Sequence, residues 1–400
     1  MNDDAAARPL HGIRVLELGQ FLAGPFAATL LGYYGAEVIK VEQPQGGDQI
    51  RRWRTLKNGT SLWWSSLGRN KKCITLDLKS ARGQELVKQL ALKSDVLVEN
   101  FRPGIMESWG LGPDTLKPLN PGLIYARVSG YGQTGPYASK PGYASACEGF
   151  GGFRYINGFP GQAPVRPNLS MGDTLAGLHA AFGVLLALQQ RGKSGTGQVV
   201  DVALFESVFN LLESVVPEYD GAGQVREPSG STITGIAPTN TYLCQDGKYV
   251  IIGGNGDSIF KRLMTCVGRA DLAEDPRLAH NDGRVQHEQE VDAAINAWTS
   301  QHSAADVLAA MEQARVPAGP IYSVADMFND PHYQARGLFE QVEVDGEPLK
   351  IPAILPKLSE TPGGTDWPGP ALGSHNTEIF GTLLGLSEAE QAELHQAGVV

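Results

Sequence analysis

Cysteine is scarce in this 400-residue chain: Cys73, Cys147, Cys244 and Cys266 lie far apart with no CxxC pair. That spacing excludes a disulfide framework and a thiolate zinc site, and it fits a reducing compartment. Surplus basic charge is also missing. The formal net charge is −10, whereas a general nucleic-acid binder needs a basic surface to displace counterions from phosphates. No run of about 18 uninterrupted apolar residues occurs, and the opening MNDDAAARPL has no basic segment followed by an apolar one, so neither a membrane span nor an export signal is expected. The eight histidines form no HxxxH pattern, and Gly-x-Ser-x-Gly is absent, which leaves no metal centre and no serine-hydrolase elbow. A soluble cytoplasmic protein is expected.

What is present supports a large core, since 42% of residues are hydrophobic, and at this length the chain should divide into two domains. Short apolar strands at 13–18, 36–42, 73–78 and 95–99 alternate with helical patterns at 25–34 and 81–92, the signature of βαβ units around a parallel sheet. A further strand at 123–128 runs into a Gly- and Pro-rich loop over 129–170. From 172 to 190 the spacing of Leu175, Leu178, Phe182, Leu185 and Leu186 gives one helix face. Ala176, Gly177, Ala180, Ala181 and Gly183 keep the rest small, which predicts close packing against another backbone. A strand at 198–202 and a helix over 203–215 precede a polar stretch read as a linker.

The second module opens with a hairpin, 241–244 and 249–252 around Gln245-Asp246-Gly247, closed by Gly253-Gly254-Asn255-Gly256. Helices are predicted at 258–267, 288–299 and 304–314, and a final one after Ser387. The division expected is a large α/β domain over 1–220, a linker over 221–235, a small α+β domain over 236–320, and a return segment over 321–400 that completes the large domain.

One acidic residue stands out by position. Asp173, in Ser170-Met171-Gly172-Asp173-Thr174, lies where the helical pattern begins, so its carboxylate meets unpaired N–H groups and a favourable dipole. Taken alone, this is an ordinary helix cap, because Asp is among the preferred capping residues.

The whole chain, however, carries an ordered series of motifs: Leu10-His11-Gly12-Ile13-Arg14-Val15-Leu16-Glu17-Leu18, Ala23-Gly24-Pro25, Gly35-Ala36-Glu37-Val38-Ile39-Lys40-Val41-Glu42 and Arg69-Asn70-Lys71-Lys72. Leu76-Asp77-Leu78-Lys79, Val98-Glu99-Asn100-Phe101-Arg102-Pro103-Gly104, Gly130-Tyr131-Gly132-Gln133-Thr134-Gly135-Pro136 and Gly172-Asp173 follow in the same order. With these the chain resembles the class III CoA-transferases, the CaiB/BaiF family, along almost its entire length.

The resemblance implies an α/β fold: a large Rossmann-like domain with a parallel sheet, built from N- and C-terminal segments, plus a smaller α+β domain, in an interlocked homodimer. It also implies covalent catalysis by Asp173, which attacks the donor thioester to give an anhydride and CoA thiolate. The thiolate then forms an aspartyl-CoA thioester, and the acceptor carboxylate repeats the sequence in reverse. Gly254, Asn255 and Gly256 match a mobile loop that covers the site and offers N–H groups to oxyanions. CoA contacts are implied at Ala23, Gln43, Leu76, Lys79, Asn100, Phe101, Arg102 and Lys140, with CoA and acyl-CoA as substrates, no tightly bound cofactor and no metal. The chain departs from oxalate-specific members at Leu22, Gln43, Ser108 and Ala144, so its CoA site should match in place and differ in detail.

Glu148, in the long loop, is read as a possible second carboxylate near the site, and His179 as a packed helical residue. The segment 149–161 and Pro217-Glu218-Tyr219 are similar to members acting on dicarboxylic acids with succinyl-CoA; Arg154 and Arg166 are candidates for the distal carboxylate. Acceptors of four to six carbons, such as itaconate, mesaconate, malate or glutarate, are expected. Two alternatives remain. An α-methylacyl-CoA racemase would carry a histidine where this chain reads Pro141-Gly142-Tyr143-Ala144, and a tyrosine with a reference pKa near 10 is a poor base. A noncatalytic subunit of a two-chain transferase is disfavoured by the intact Gly172-Asp173.

Overall fold

The computed structural model describes residues 8–400. The first seven, on which the reading of the N-terminus rests and which open the expected 1–220 domain, lie outside the described residues. Contacts divide the chain into two units, one running through Phe153 and continuing with Pro167–Glu213 and Gln334–Val400, the other comprising Arg154–Arg166 and Ser214–Tyr333.

Six strands form the centre of the first unit: β1 (Arg14–Glu17), β2 (Glu37–Glu42), β3 (Lys71–Thr75), β4 (Val96–Glu99), β5 (Ile124–Ser129) and β6 (Val199–Ala203). Their order is β3-β2-β1-β4-β5-β6, and every neighbouring pair is parallel. Parallel strands are covered on both faces, which is why β4 and β5 are buried at every position. The order reverses between β1 and β4, and at such a switch point the loops leaving the two carboxyl ends diverge and open a crevice. Helices α1 (Ala23–Tyr33), α2 (Ala81–Leu92), α3 (Ala144–Phe150) and α4 (Met171–Ser194) belong to this unit. Ala176, Ala180 and Ala181 of α4 join Ala23, Ala27 and Leu30 of α1 in one apolar cluster, the close helix packing that the small residues predicted. By length and composition α4 would suit a membrane span; here its small-residue face is packed on α1.

In the second unit, β7 (Thr239–Leu243), β8 (Tyr249–Gly253) and β9 (Ala318–Pro320) form an antiparallel sheet. It shares a core with α5 (Asp257–Cys266), α6 (Glu288–Thr299) and α7 (Ala304–Gln313) through Val250, Ile252, Phe260, Ile295 and Val307. The return segment adds no strand to the parallel sheet. It contributes an antiparallel hairpin, β10 (Phe339–Val344) with β11 (Glu347–Pro352), and α8 (Glu388–Gln396), started by a capping box between Ser387 and Glu390.

Four local expectations shift. β3 begins at Lys71 rather than at 73, because the Lys71 ammonium is fully buried against Glu17 at 2.7 Å and so behaves as an interior residue. The helix expected over 203–215 stops at Phe209, and the chain turns through Glu213 at φ 47°. The start of the expected linker is helical, over Val215–Ala222, and the 129–170 loop contains α3.

Candidate active site

Because β1 to β4 run parallel, the residues that follow their carboxyl ends share one edge of the sheet. Ala23 opens α1 after β1, Gln43 follows β2, Leu76 to Lys79 follow β3, and Asn100 to Arg102 follow β4. Seven of the eight expected CoA positions are thus gathered by topology. They differ in what they offer. Gln43, Lys79 and Arg102 are exposed, whereas the Leu76 side chain is fully buried in the core, so only its main chain can face a ligand. Asn100 spends its carboxamide on the chain itself: Oδ1 accepts from Gln20 N–H at 2.8 Å and Nδ2 donates to Gln20 O at 2.8 Å. Lys140 is not at a strand end; its ammonium lies 3.5 Å from the centre of the Tyr137 ring, in the long loop.

The helix bearing Asp173 starts at Met171, so Asp173 occupies the first turn rather than the cap, which is Ser170. Ser170 makes no side-chain capping bond. Instead the fully buried Glu148 carboxylate, from α3, accepts the Gly172 N–H at 3.2 Å. A Cβ on Gly172 would lie 3.3 Å from that of Ala144, so α3 and the start of α4 are in contact. Burial, then the negative charges of Asp173 and Glu148, push the neighbouring Cys147 thiol up to about 11, which leaves it an inert packing residue at neutral pH. Four residues beyond Asp173, and so on the same face of α4, Gly177 meets the Ala23 carbonyl. The turn of α4 that follows Asp173 is therefore held against the N-terminus of α1.

Tyr143, directly before α3, sets its exposed ring edge-on to Phe21 at 6.3 Å, and Phe21 in turn packs on Trp53 at 5.2 Å. These aromatics join the Asp173 region to the loop between β1 and α1. Sequence patterning gave no signal for Phe21, whose φ of 63° is unusual for a bulky residue.

In the second unit, Gly253 to Gly256 link β8 to α5. None of the three glycines takes a positive φ. Gly254 is closely packed, because a Cβ there would lie 2.5 Å from Leu263 Cδ2 and the leucine would have to move. Its N–H already donates to Pro238 O at 2.8 Å, which removes it from the donors the loop can offer. Asn255 and Gly256 remain, together with the first-turn N–H groups of α5. The loop is held from below by Arg284, a fully buried guanidinium that donates to Asn255 O at 2.6 Å and Asp257 Oδ1 at 2.9 Å.

A cavity of about 570 Å³ lies at the other, amino-terminal edge of the sheet, lined by Arg8, Gly12, Arg14, Glu37, Lys72 and Asp366 among others. Five of its charged residues pair with one another, Arg8 with Asp366 and both Arg14 and Lys72 with Glu37.

The sequence profile of CoA-transferase family III matches residues 10–376. The chain is 49% identical over 402 residues to the succinyl-CoA–D-citramalate CoA-transferase of Chloroflexus aurantiacus, covering 100% of both chains. It is 41% identical over 396 residues to the alpha subunit of the succinyl-CoA–L-malate CoA-transferase of Chloroflexus aurantiacus, covering 98% of this chain and 92% of the relative. Among solved structures it is similar to a CaiB/BaiF family protein from Brucella suis, with a TM-score of 0.82 and 35% sequence identity over 94% of this chain and 99% of that one.

Proposed function

This chain belongs to CoA-transferase family III, and from that membership we propose that it moves CoA from succinyl-CoA to a free dicarboxylic acid of four to six carbons, with Asp173 as the covalent carboxylate. The observation that supports the assignment is the packing of Gly177 on Ala23, which holds the first turns of the Asp173 helix near the sheet edge that carries the positions proposed for CoA. Asp173 attacks the donor carbonyl and expels CoA thiolate, leaving a succinyl-aspartyl anhydride. The thiolate attacks the aspartyl carbonyl and releases succinate, and the resulting aspartyl thioester exchanges with the incoming acid by the same two steps reversed.

Every step builds negative charge on a carbonyl oxygen, and donors aimed at that charge lower the barrier. Asn255 and Gly256 are assigned to this task, and the anhydride makes exclusion of water necessary. A hydroxylated acceptor such as citramalate or malate is the first choice, on the names of the two relatives. The protein is taken to work in the cytoplasm as an interlocked homodimer, which light scattering would test.

The purified protein should convert succinyl-CoA and one member of a panel of free dicarboxylic and monocarboxylic acids into a new CoA ester, identified by mass spectrometry. The Asp173→Ala variant should form none. A variant as active as the parent would remove Asp173 from the reaction, and no exchange with any acid would refute the donor and acceptor classes together.

A further inference from the structure

We infer that Asp48 is a positioning residue that fixes the loop Gly19–Phe21 at the switch point, and through it the N-terminus of α1 against which the Asp173 helix is set. The inference rests on the reading above, that CoA is held at this edge.

Three consecutive residues of the loop have main-chain groups bonded to side chains from other parts of the unit. Lys40, from β2, donates to Gly19 O at 3.0 Å. Asn100, after β4, takes both the N–H and the carbonyl of Gln20. Asp48 accepts the Phe21 N–H on both oxygens at 3.2 Å. A side chain at Gly19 would displace the Asn100 carboxamide, because its Cβ would fall 2.9 Å from Asn100 Oδ1.

The clamp holds a conformation the chain would not choose. Phe21 sits at φ 63°, where a Cβ is disfavoured and asparagine or glycine is usual. Beneath it the ions are entirely interior: Lys40 meets Asp48 at 2.9 Å and Glu17 at 2.7 Å, and none of the three side chains is more than 1% exposed. Desolvation makes such buried pairs poor sources of net stability, while their directional bonds select one geometry. A fully buried ion network that terminates on a strained loop residue is best explained by what the loop must present. The next residues are Leu22 and Ala23, and Ala23 O is the group that Gly177 approaches.

The test is a double-mutant cycle read by CoA affinity, with titration calorimetry on the full-length protein and CoA as the probe. Asp48→Ala should weaken CoA binding about tenfold or more, the effect of losing about 1.4 kcal/mol. In a Phe21→Gly background the same change should cost less than about threefold, because glycine adopts the left-handed conformation without a clamp. Loss of the Phe21 ring is common to both Phe21→Gly proteins and cancels. An equal loss in both backgrounds, or no loss in the first, overturns the inference while leaving the transferase reading intact. A parent protein that binds no CoA overturns both. Should Asp48→Ala fail to fold, Asp48→Asn goes through the same cycle, with about a threefold loss expected in the parent background and none with Phe21→Gly.

Discussion

Gly177 and Ala23 meet so closely that a Cβ on Gly177 would lie 2.8 Å from the Ala23 carbonyl oxygen and 2.9 Å from Phe26 Cδ1. One glycine thus fixes the distance between the helix bearing Asp173 and the helix that opens at the sheet edge.

Replacing Gly177 with alanine sets two effects against each other. Alanine favours a helix interior by about 1 kcal/mol over glycine, but overpacking against a main-chain carbonyl costs about 1–3 kcal/mol, since that oxygen cannot rotate away. Packing should win. A lower melting temperature in calorimetry is expected, with a transfer rate that falls further than the stability loss explains because α4 must shift along with Asp173.

Glu148 separates capping from charge. Glu148→Gln keeps an oxygen for the Gly172 N–H and should leave kcat within about threefold of the parent. Glu148→Ala leaves that buried donor unsatisfied, a defect of about 1–3 kcal/mol, and should lower kcat about tenfold, measured by steady-state ester formation. If Glu148→Gln were as impaired as Glu148→Ala, the charge rather than the hydrogen bond would be the working feature.

Glu99, 1% exposed at the carboxyl end of β4, carries a pH signature. Burial pushes its carboxyl from the ordinary 4.5 up to about 7, against the pull of Arg127, whose Nε donates to it at 2.8 Å. A carboxyl with a raised folded pKa holds its proton better folded than unfolded. Its contribution to stability is complete below about 4.5 and is lost as pH rises through about 7. Urea unfolding across that window should show a decline of up to about 3 kcal/mol from this group, taking 1.36 kcal/mol per pH unit. In Glu99→Gln the decline should shrink.

Arg284 should matter to the glycine loop more than its distance along the chain suggests. Its guanidinium also donates to Ala237 O and Leu278 O, each at 3.1 Å, so Arg284→Ala strands several carbonyls and should destabilise by about 3 kcal/mol or more. Lysine, a point charge without the planar fork, should restore only part. Hydrogen exchange should rise over residues 253–257 in both variants, and an unchanged exchange pattern would deny Arg284 its hold on the loop.

Much of this fold is legible in patterning because each element obeys a local rule. The helices at 81–92 and 288–299 fall where periodicity puts them. The small residues of α4 announce a close neighbour, and the Ser387 capping box starts the last helix. Lys40 and Lys71 show where such rules stop. Both are charged, yet both are fully buried, because each ammonium meets Glu17 at 2.7 Å, Lys40 from the strand beside β1 and Lys71 from the strand beyond it. No local window contains that pairing.

The site divides in the same way. From residue order alone came the family resemblance, the prominence of Asp173 and the chain positions proposed for CoA, since motifs and helix starts are properties of neighbouring residues. Only the folded chain decided that Asn100 binds Gln20, that Glu148 rather than Ser170 serves the start of the Asp173 helix, and that the Gly254 N–H is already taken by Pro238. Those outcomes depend on which donors and acceptors come within about 3 Å of each other, and a parallel sheet brings them together from strands tens of residues apart.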